Sequence, residues 1–287
     1  MRVLTDRDAA IEACRAAAAA GPLGFVPTMG ALHQGHLALV RRARDENANV
    51  AVSIFVNPLQ FDDSSDLARY PRREQEDAEL LASAGADLAL VLPADEIYPP
   101  GFATRVVLDE RLTGSFEGEL RPGHFAGVAT VVTKLLHLVA PARAYFGRKD
   151  FQQCAVVRRL VADLDLPVRI VVCDTVRDRD GLALSSRNAQ LSSSDRRRGL
   201  ALVHGLEAAE LAFDGGERDT DRLTGAARAV IEKELRSPPD YVAIVDEELA
   251  PVNVARAGDA LIVAARVGSV RLIDNHLLGA RIGPFSG

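Results

Sequence analysis

Between Leu23 and Cys173 the chain alternates short apolar runs with amphipathic stretches, and this rhythm limits its fold more than any other feature. Apolar runs at Leu23–Pro27, Val50–Val56, Leu88–Leu92, Ala144–Phe146 and Val168–Cys173 predict buried strands. Helical spacing predicts helices over Thr5–Ala20, His36–Asn47, Arg72–Ala84, Phe125–Val139 and Phe151–Asp163. Strands that alternate with helices imply a doubly wound, Rossmann-like parallel sheet covered on both faces. Ligands of such α/β sheets bind beyond the carboxyl ends of the strands.

After Thr175 the rhythm changes. Helices are expected at Ser192–Ala212 and Asp221–Leu235, and strands at Tyr241–Val245, Ala260–Val267 and Val270–Asn275, with a hairpin turn at Gly268-Ser269. The expected organisation is a larger α/β domain over residues 1–175 and a smaller α+β domain over 176–287.

Composition narrows the function classes. The chain has 287 residues, 48% hydrophobic and 26% charged, as in ordinary soluble globular proteins. Charge, Gly or Pro interrupts each apolar stretch below membrane-spanning length, so no membrane segment is expected. Cys14, Cys154 and Cys173 are odd in number and far apart, which suits a reducing compartment and a cytoplasmic protein. The net charge of −6 argues against nonspecific nucleic-acid binding. A small anionic substrate remains compatible with it, because local charge governs that contact.

The segment Pro27-Thr28-Met29-Gly30-Ala31-Leu32-His33-Gln34-Gly35-His36 lies between the first of the predicted strands and its helix. A helix N-terminus presents unpaired N–H groups and partial positive charge to anions. Gly30 and Gly35 allow close approach to the backbone, and imidazoles donate hydrogen bonds to phosphate. Two readings stand for His33 and His36: donors to a nucleotide triphosphate, or a helix-capping pair. A P-loop is excluded, since no GxxxxGK[ST] occurs.

Other candidates cluster at strand ends. Asn57 and Gln60 follow the second of these strands, and their amides suit a hydroxy acid; Asn57 is equally a turn former. Asp62, Asp63 and Asp66 belong to a charged segment, either a lid or a solvated loop, that runs on to Tyr70. Asp77 is either a magnesium ligand or a surface helix carboxylate. Arg121 precedes a helix start at Gly123-His124 and has the fork to hold a carboxylate. Lys149 is one of three lysines, beside Gly147, Arg148 and Asp150 and one turn from Gln153. Asp150 is an N-cap, a ribose acceptor, or both. Gly181–Asn188 holds Ser185, Ser186 and Arg187, either a pyrophosphate clasp or a Ser-rich capping loop.

Taken together, PTMGALHQGH, SIFVNPLQF, YPR, RPGHFAGV, GRKDFQQ and DGLALSSRN resemble, in order and over nearly the full length, the pantoate–β-alanine ligase family. The first segment is similar to the HIGH signature of nucleotidyltransferases. Gln34 stands where the family usually has Glu, and Arg148 adds a positive charge where it usually has Glu. The resemblance implies ATP-dependent condensation of pantoate with β-alanine through a pantoyl adenylate, releasing pyrophosphate and then AMP. It implies catalytic roles for His36, His33, Lys149, Ser185, Ser186 and Arg187. It places ATP at Pro27, Met29, Gly30, His33, Gly35, His36, Gly147, Arg148, Lys149, Asp150, Val176, Leu184 and Ser185–Arg187. It places pantoate or β-alanine at Gln60 and Gln153, with Asn57, Tyr70 and Arg121. Mg2+ with ATP, a homodimer and a lid role for the second domain follow from the same resemblance. The alternative is a nucleotidyltransferase of the same fold acting on another small acceptor.

Overall fold

In the computed structural model of the chain, residues 1–61 and 64–282 are described, with side chains for all of these except 64–66. Two units emerge. One comprises Met1–Gly147 and Gln152–Cys173; the other comprises Arg148–Phe151 and Asp174 onward.

The first unit holds strands β1 (Arg2–Leu4), β2 (Leu23–Thr28), β3 (Asn49–Ile54), β4 (Leu88–Leu90), β5 (Arg143–Gly147) and β6 (Arg169–Cys173). They form one parallel sheet in the order β1-β4-β3-β2-β5-β6. Its longer helices are α1 (Arg7–Ala20), α2 (Gln34–Glu46), α3 (Glu74–Ser83), α4 (His124–Val139) and α5 (Phe151–Asp163), whose first residue belongs to the other unit.

Successive strand residues enter different cores. Phe25, Ala51, Leu88, Leu90, Ala144 and Phe146 join one cluster with α1, α4 and α5 residues such as Cys14, Val128 and Leu160. Val26, Val50, Val52, Ala89 and Tyr145 join another with Leu37, Val40 and Leu81 of α2 and α3. Both faces are therefore covered, which explains why the strands read as unbroken apolar runs. From β2 the chain runs outward through β3 and β4, and β5 later returns to the opposite side of β2. The strand order reverses between β2 and β5, the point where such sheets bind ligands.

The second unit contains α6 (Ser193–Gly199), α7 (Ala201–Asp214) and α8 (Thr220–Leu235), with β7 (Tyr241–Val245), β8 (Ala260–Val267) and β9 (Val270–Leu277) in an antiparallel sheet. Its core includes Leu206, Leu223, Ile231 and Leu261.

Three details differ from the sequence expectations. The helix expected over Ser192–Ala212 is interrupted at Leu200, just after Gly199, a poor helix former whose Cβ would meet Leu272 at 3.0 Å. Strand β1 is too short to show a period of its own and pairs with β4. Residues 148–151 group with the second unit although they follow β5, because β9 holds them.

Candidate active site

The loop after β2 is shaped from inside the first unit. Gly30 has φ +80°, and a Cβ there would lie 2.9 Å from Asp77 Oδ2, so glycine is required. Asp77 is 2% exposed and accepts the backbone N–H groups of Ala31 and Leu32, each at 2.8 Å. This occupation was not legible from its helical position in the sequence. The carboxylate that the sequence offers as a magnesium ligand or a surface helix group is buried and holds the loop in shape.

His33 is the N-cap of α2, and its Nδ1 accepts from Gly35 N–H at 3.1 Å. His36 Nδ1 faces His33 N–H at 3.4 Å, and the two rings lie 4.0 Å apart. A backbone N–H can only donate, so each Nδ1 is an acceptor and each neutral ring carries its proton on Nε2. Capping and donation are therefore not competing explanations: the cap selects the tautomer whose Nε2–H donates. Gly35, in the first turn, gives its N–H to this cap. Pro27 sits within β2 opposite Ser53.

Gln60 is held at both ends of its residue. Its backbone carbonyl accepts from Arg121 Nη2 at 3.2 Å and from His124 Nδ1 at 2.9 Å. Arg121 Nη1 also faces His124 Nε2 at 3.2 Å, which makes that nitrogen the acceptor and Nδ1 the donor. The Gln60 side chain is oriented by a relay. Tyr98 donates its hydroxyl to Asn57 Oδ1 at 2.8 Å. Asn57 Nδ2 donates to Gly127 O at 3.1 Å and to Gln60 Oε1 at 3.0 Å. Gln60 Nε2 then faces Met29 Sδ at 3.1 Å, so the amide presents its donor end. Burial pushes the Tyr98 phenol far above its ordinary value, keeping it a donor. Gly127 allows α4 to touch this turn, since a Cβ would meet Leu59 O at 2.1 Å.

Asn57 and Arg121, expected to touch substrate, are thus seen supporting Gln60, and Asn57 is 1% exposed. Tyr98 carried no local signal and was missed; its partner lies 41 positions away. Tyr70 packs edge-on to Phe61 with ring centroids 5.7 Å apart. Gln153 is half-buried in the first turn of α5. Gly147 closes β5, and its carbonyl accepts from Cys154 Sγ. Asp62 and Asp63 lie outside the described residues, as does the Asp66 side chain.

In the second unit, Lys149 Nζ lies 3.6 Å from Asp150 Oδ1, and Arg148 is paired with Asp174. The charge that Arg148 adds is therefore partly offset locally. Val176 and Leu184 face each other through Leu184 N–H and Val176 O at 2.9 Å. Ser185 caps the turn Ser186–Gln190, its Oγ accepting from Arg187 N–H at 3.3 Å. Arg177 makes a bidentate pair with Asp274 at 2.6 and 2.8 Å, buried at 4% exposure each. His276 Nε2 lies 3.0 Å from Glu210 Oε2. Burial, aided by the Arg177 charge, pushes His276 down to about 4, and burial raises Glu210.

A parallel sheet with a capped histidine pair at its switch point defines an α/β protein of the nucleotide-binding class. The family model described as pantoate-beta-alanine ligase matches residues 2–277, and the chain belongs to that family. It is 53% identical to a pantothenate synthetase of Gluconobacter oxydans over 92% of this chain and 97% of that one. It is 49% identical to a pantothenate synthetase of Roseiflexus castenholzii over 98% and 100% of the two chains. A crystal structure of the Thermus thermophilus pantothenate synthetase superposes with TM-score 0.88 at 48% identity, covering 96% of this chain and 99% of that one. The pantoate-beta-alanine ligase of Francisella tularensis, complexed with beta-gamma ATP and beta-alanine, superposes with TM-score 0.82 at 33% identity, covering 99% and 100%.

Proposed function

We propose that this chain joins pantoate to β-alanine at the expense of ATP, with the residues above in defined roles. The family match supports the reaction. The observation that carries the site assignment is the capped pair His33–His36, whose Nδ1 atoms both face backbone N–H groups at the sheet's switch point.

In the first step a pantoate carboxylate oxygen bonds to the α-phosphorus and the bond to pyrophosphate breaks. In the second, the β-alanine nitrogen bonds to the acyl carbon, AMP leaves, and the amine gives up a proton. Neither step needs a protein nucleophile, so the chain's work is positioning and charge stabilisation. The Nε2–H groups of His33 and His36 face charge that grows on phosphate oxygens. The backbone at Met29–Gly30 admits the nucleotide closely. Gln60 offers N–H donors to a pantoate oxygen, with Gln153 as the second amide and Tyr70 nearby in sequence.

From the second unit, Lys149, Ser185, Ser186 and Arg187 serve as phosphate donors, and Asp150, Val176 and Leu184 serve the nucleoside. Mg2+ bound with ATP would offset charge on the phosphate oxygens, beside the donors from His33, His36, Lys149 and Arg187. A homodimer and a cytoplasmic location complete the reading; Cys14, Cys154 and Cys173 as free thiols support a reducing compartment. No helix among the described residues is long and apolar enough to cross a membrane.

The test follows pyrophosphate and pantothenate with ATP, Mg2+ and pantoate, first without and then with β-alanine. Pyrophosphate from pantoate alone, followed by pantothenate on adding β-alanine, is expected. No pyrophosphate from folded, ATP-binding protein would reject the reading. His36→Ala is expected to lower turnover on the order of a hundredfold with the fold intact, as loss of a transition-state donor does.

A further inference from the structure

Lys149 is held in place by a strand far away in sequence. Asn275, near the end of β9, donates from Nδ2 to Arg148 O and to Lys149 O, both at 2.9 Å, across 127 and 126 positions. These carbonyls belong to the two peptide planes that flank the Lys149 Cα. Each peptide plane is rigid, so pinning both fixes the direction in which the lysine side chain starts. A lysine has a flexible four-carbon stem, and its charge is useful to a phosphate only if that stem begins from a set place.

Asn275 is itself fixed. It is 3% exposed, its N–H meets Asp274 Oδ1 at 2.8 Å, and its carbonyl accepts from Arg177 Nη2 at 3.3 Å. Arg177 is locked by its two bonds to Asp274, and Nη1 reaches Gly181 O at 3.1 Å. Gly181 opens the segment that carries Ser185, Ser186 and Arg187. One strand end thus ties together both anion-binding segments of this unit. It also explains why residues 148–151 group with it.

We propose that Asn275 is a positioning residue for Lys149, and that the Arg177–Asp274 pair sets Asn275. The proposal rests on the assignment of Lys149 as a phosphate donor. Its test is a double-mutant cycle in the full chain with Lys149→Ala and Asn275→Ala, measuring kcat and KM for ATP and for pantoate in pyrophosphate release. Asn275→Ala is expected to lower kcat/KM for ATP by about 10- to 100-fold, the scale of a misplacement near 1 Å. KM for pantoate should stay within about 2-fold, since a uniform-binding or folding defect would move both substrates. The double variant is expected to be no worse than Lys149→Ala alone.

Asn275→Ser, which keeps a polar side chain too short to reach both carbonyls, is the second variant should the alanine fail to fold. The core variant Leu223→Ala serves as control, with a lower Tm and an unchanged KM for ATP. Unchanged ATP kinetics in a folded Asn275 variant, or single effects that multiply in the double variant, would overturn the proposal. Unchanged ATP kinetics in Lys149→Ala would instead remove the site assignment, and the proposal with it; the cycle tells the two failures apart.

Discussion

The support beneath Gln60 and the support beneath Lys149 solve one problem with opposite chemistry. Gln60 is oriented by a relay of neutral groups, Tyr98 to Asn57 to Gln60, with Gly127 O fixing the amide direction. Lys149 is oriented by an amide braced by a buried ion pair, Arg177–Asp274, next to the partly buried His276–Glu210 contact. A neutral relay does not titrate near neutrality, and it sets which end of an amide faces the ligand. An ionic brace is rigid because the guanidinium fork fits a carboxylate, but each of its members depends on the other's charge. The orientation of the Gln60 side chain by this relay should therefore be insensitive to pH where the stability of the second unit is not.

The largest expected effect breaks the ionic side. Asp274→Ala leaves the Arg177 guanidinium buried without its carboxylate and should cost about 3–5 kcal/mol in urea unfolding. A loss below about 1 kcal/mol would mean the pair braces nothing. The next effect is pH dependence. His276 is neutral in the fold at about 4 against an ordinary 6.5, so its contribution is complete above 6.5 and is lost as pH falls toward 4. Between pH 7 and pH 5 the loss is about 2 kcal/mol, offset in part by Glu210, whose raised value works the other way. His276→Gln should flatten the stability profile over that window; a profile parallel to the parent would remove His276 as its source.

The smallest effect sharpens the neutral side. Tyr98→Phe removes one hydroxyl and should lower stability by about 1 kcal/mol. The same change should raise KM for pantoate about 5- to 10-fold while KM for ATP holds, from pH 6 to 8 alike. Equal rises for both substrates would reduce Tyr98 to a packing residue.

Much of the fold was legible because its signals are local. A strand buried on both faces must be apolar throughout, and α2 must begin where His33 can cap it, so β2, the loop and α2 follow from a short window. The same window contains the histidine pair, and Gln60 falls just beyond the next strand. What was not legible depends on partners distant in sequence. Asp77 looks like any helix carboxylate until Ala31 and Leu32 are placed against it, 46 and 45 positions away. Asn57 and Arg121 carry the right chemistry to touch substrate, and only their packing shows that they support Gln60. Asn275 has no sequence cue at all, since its role exists only once β9 lies beside residues 148 and 149.

By itself the sequence determined the alternation of strands and helices, the family, and the residues able to donate to phosphates or to a hydroxy acid. Those properties reside in hydrophobic period, capping chemistry and side-chain type, all read within a few turns of chain. Only the tertiary structure decided which nitrogen of each imidazole carries the proton, which end of the Gln60 amide faces Met29, and what anchors Lys149. A hydrogen bond has a direction and a partner, and chain folding brings those partners together from positions that no local pattern connects.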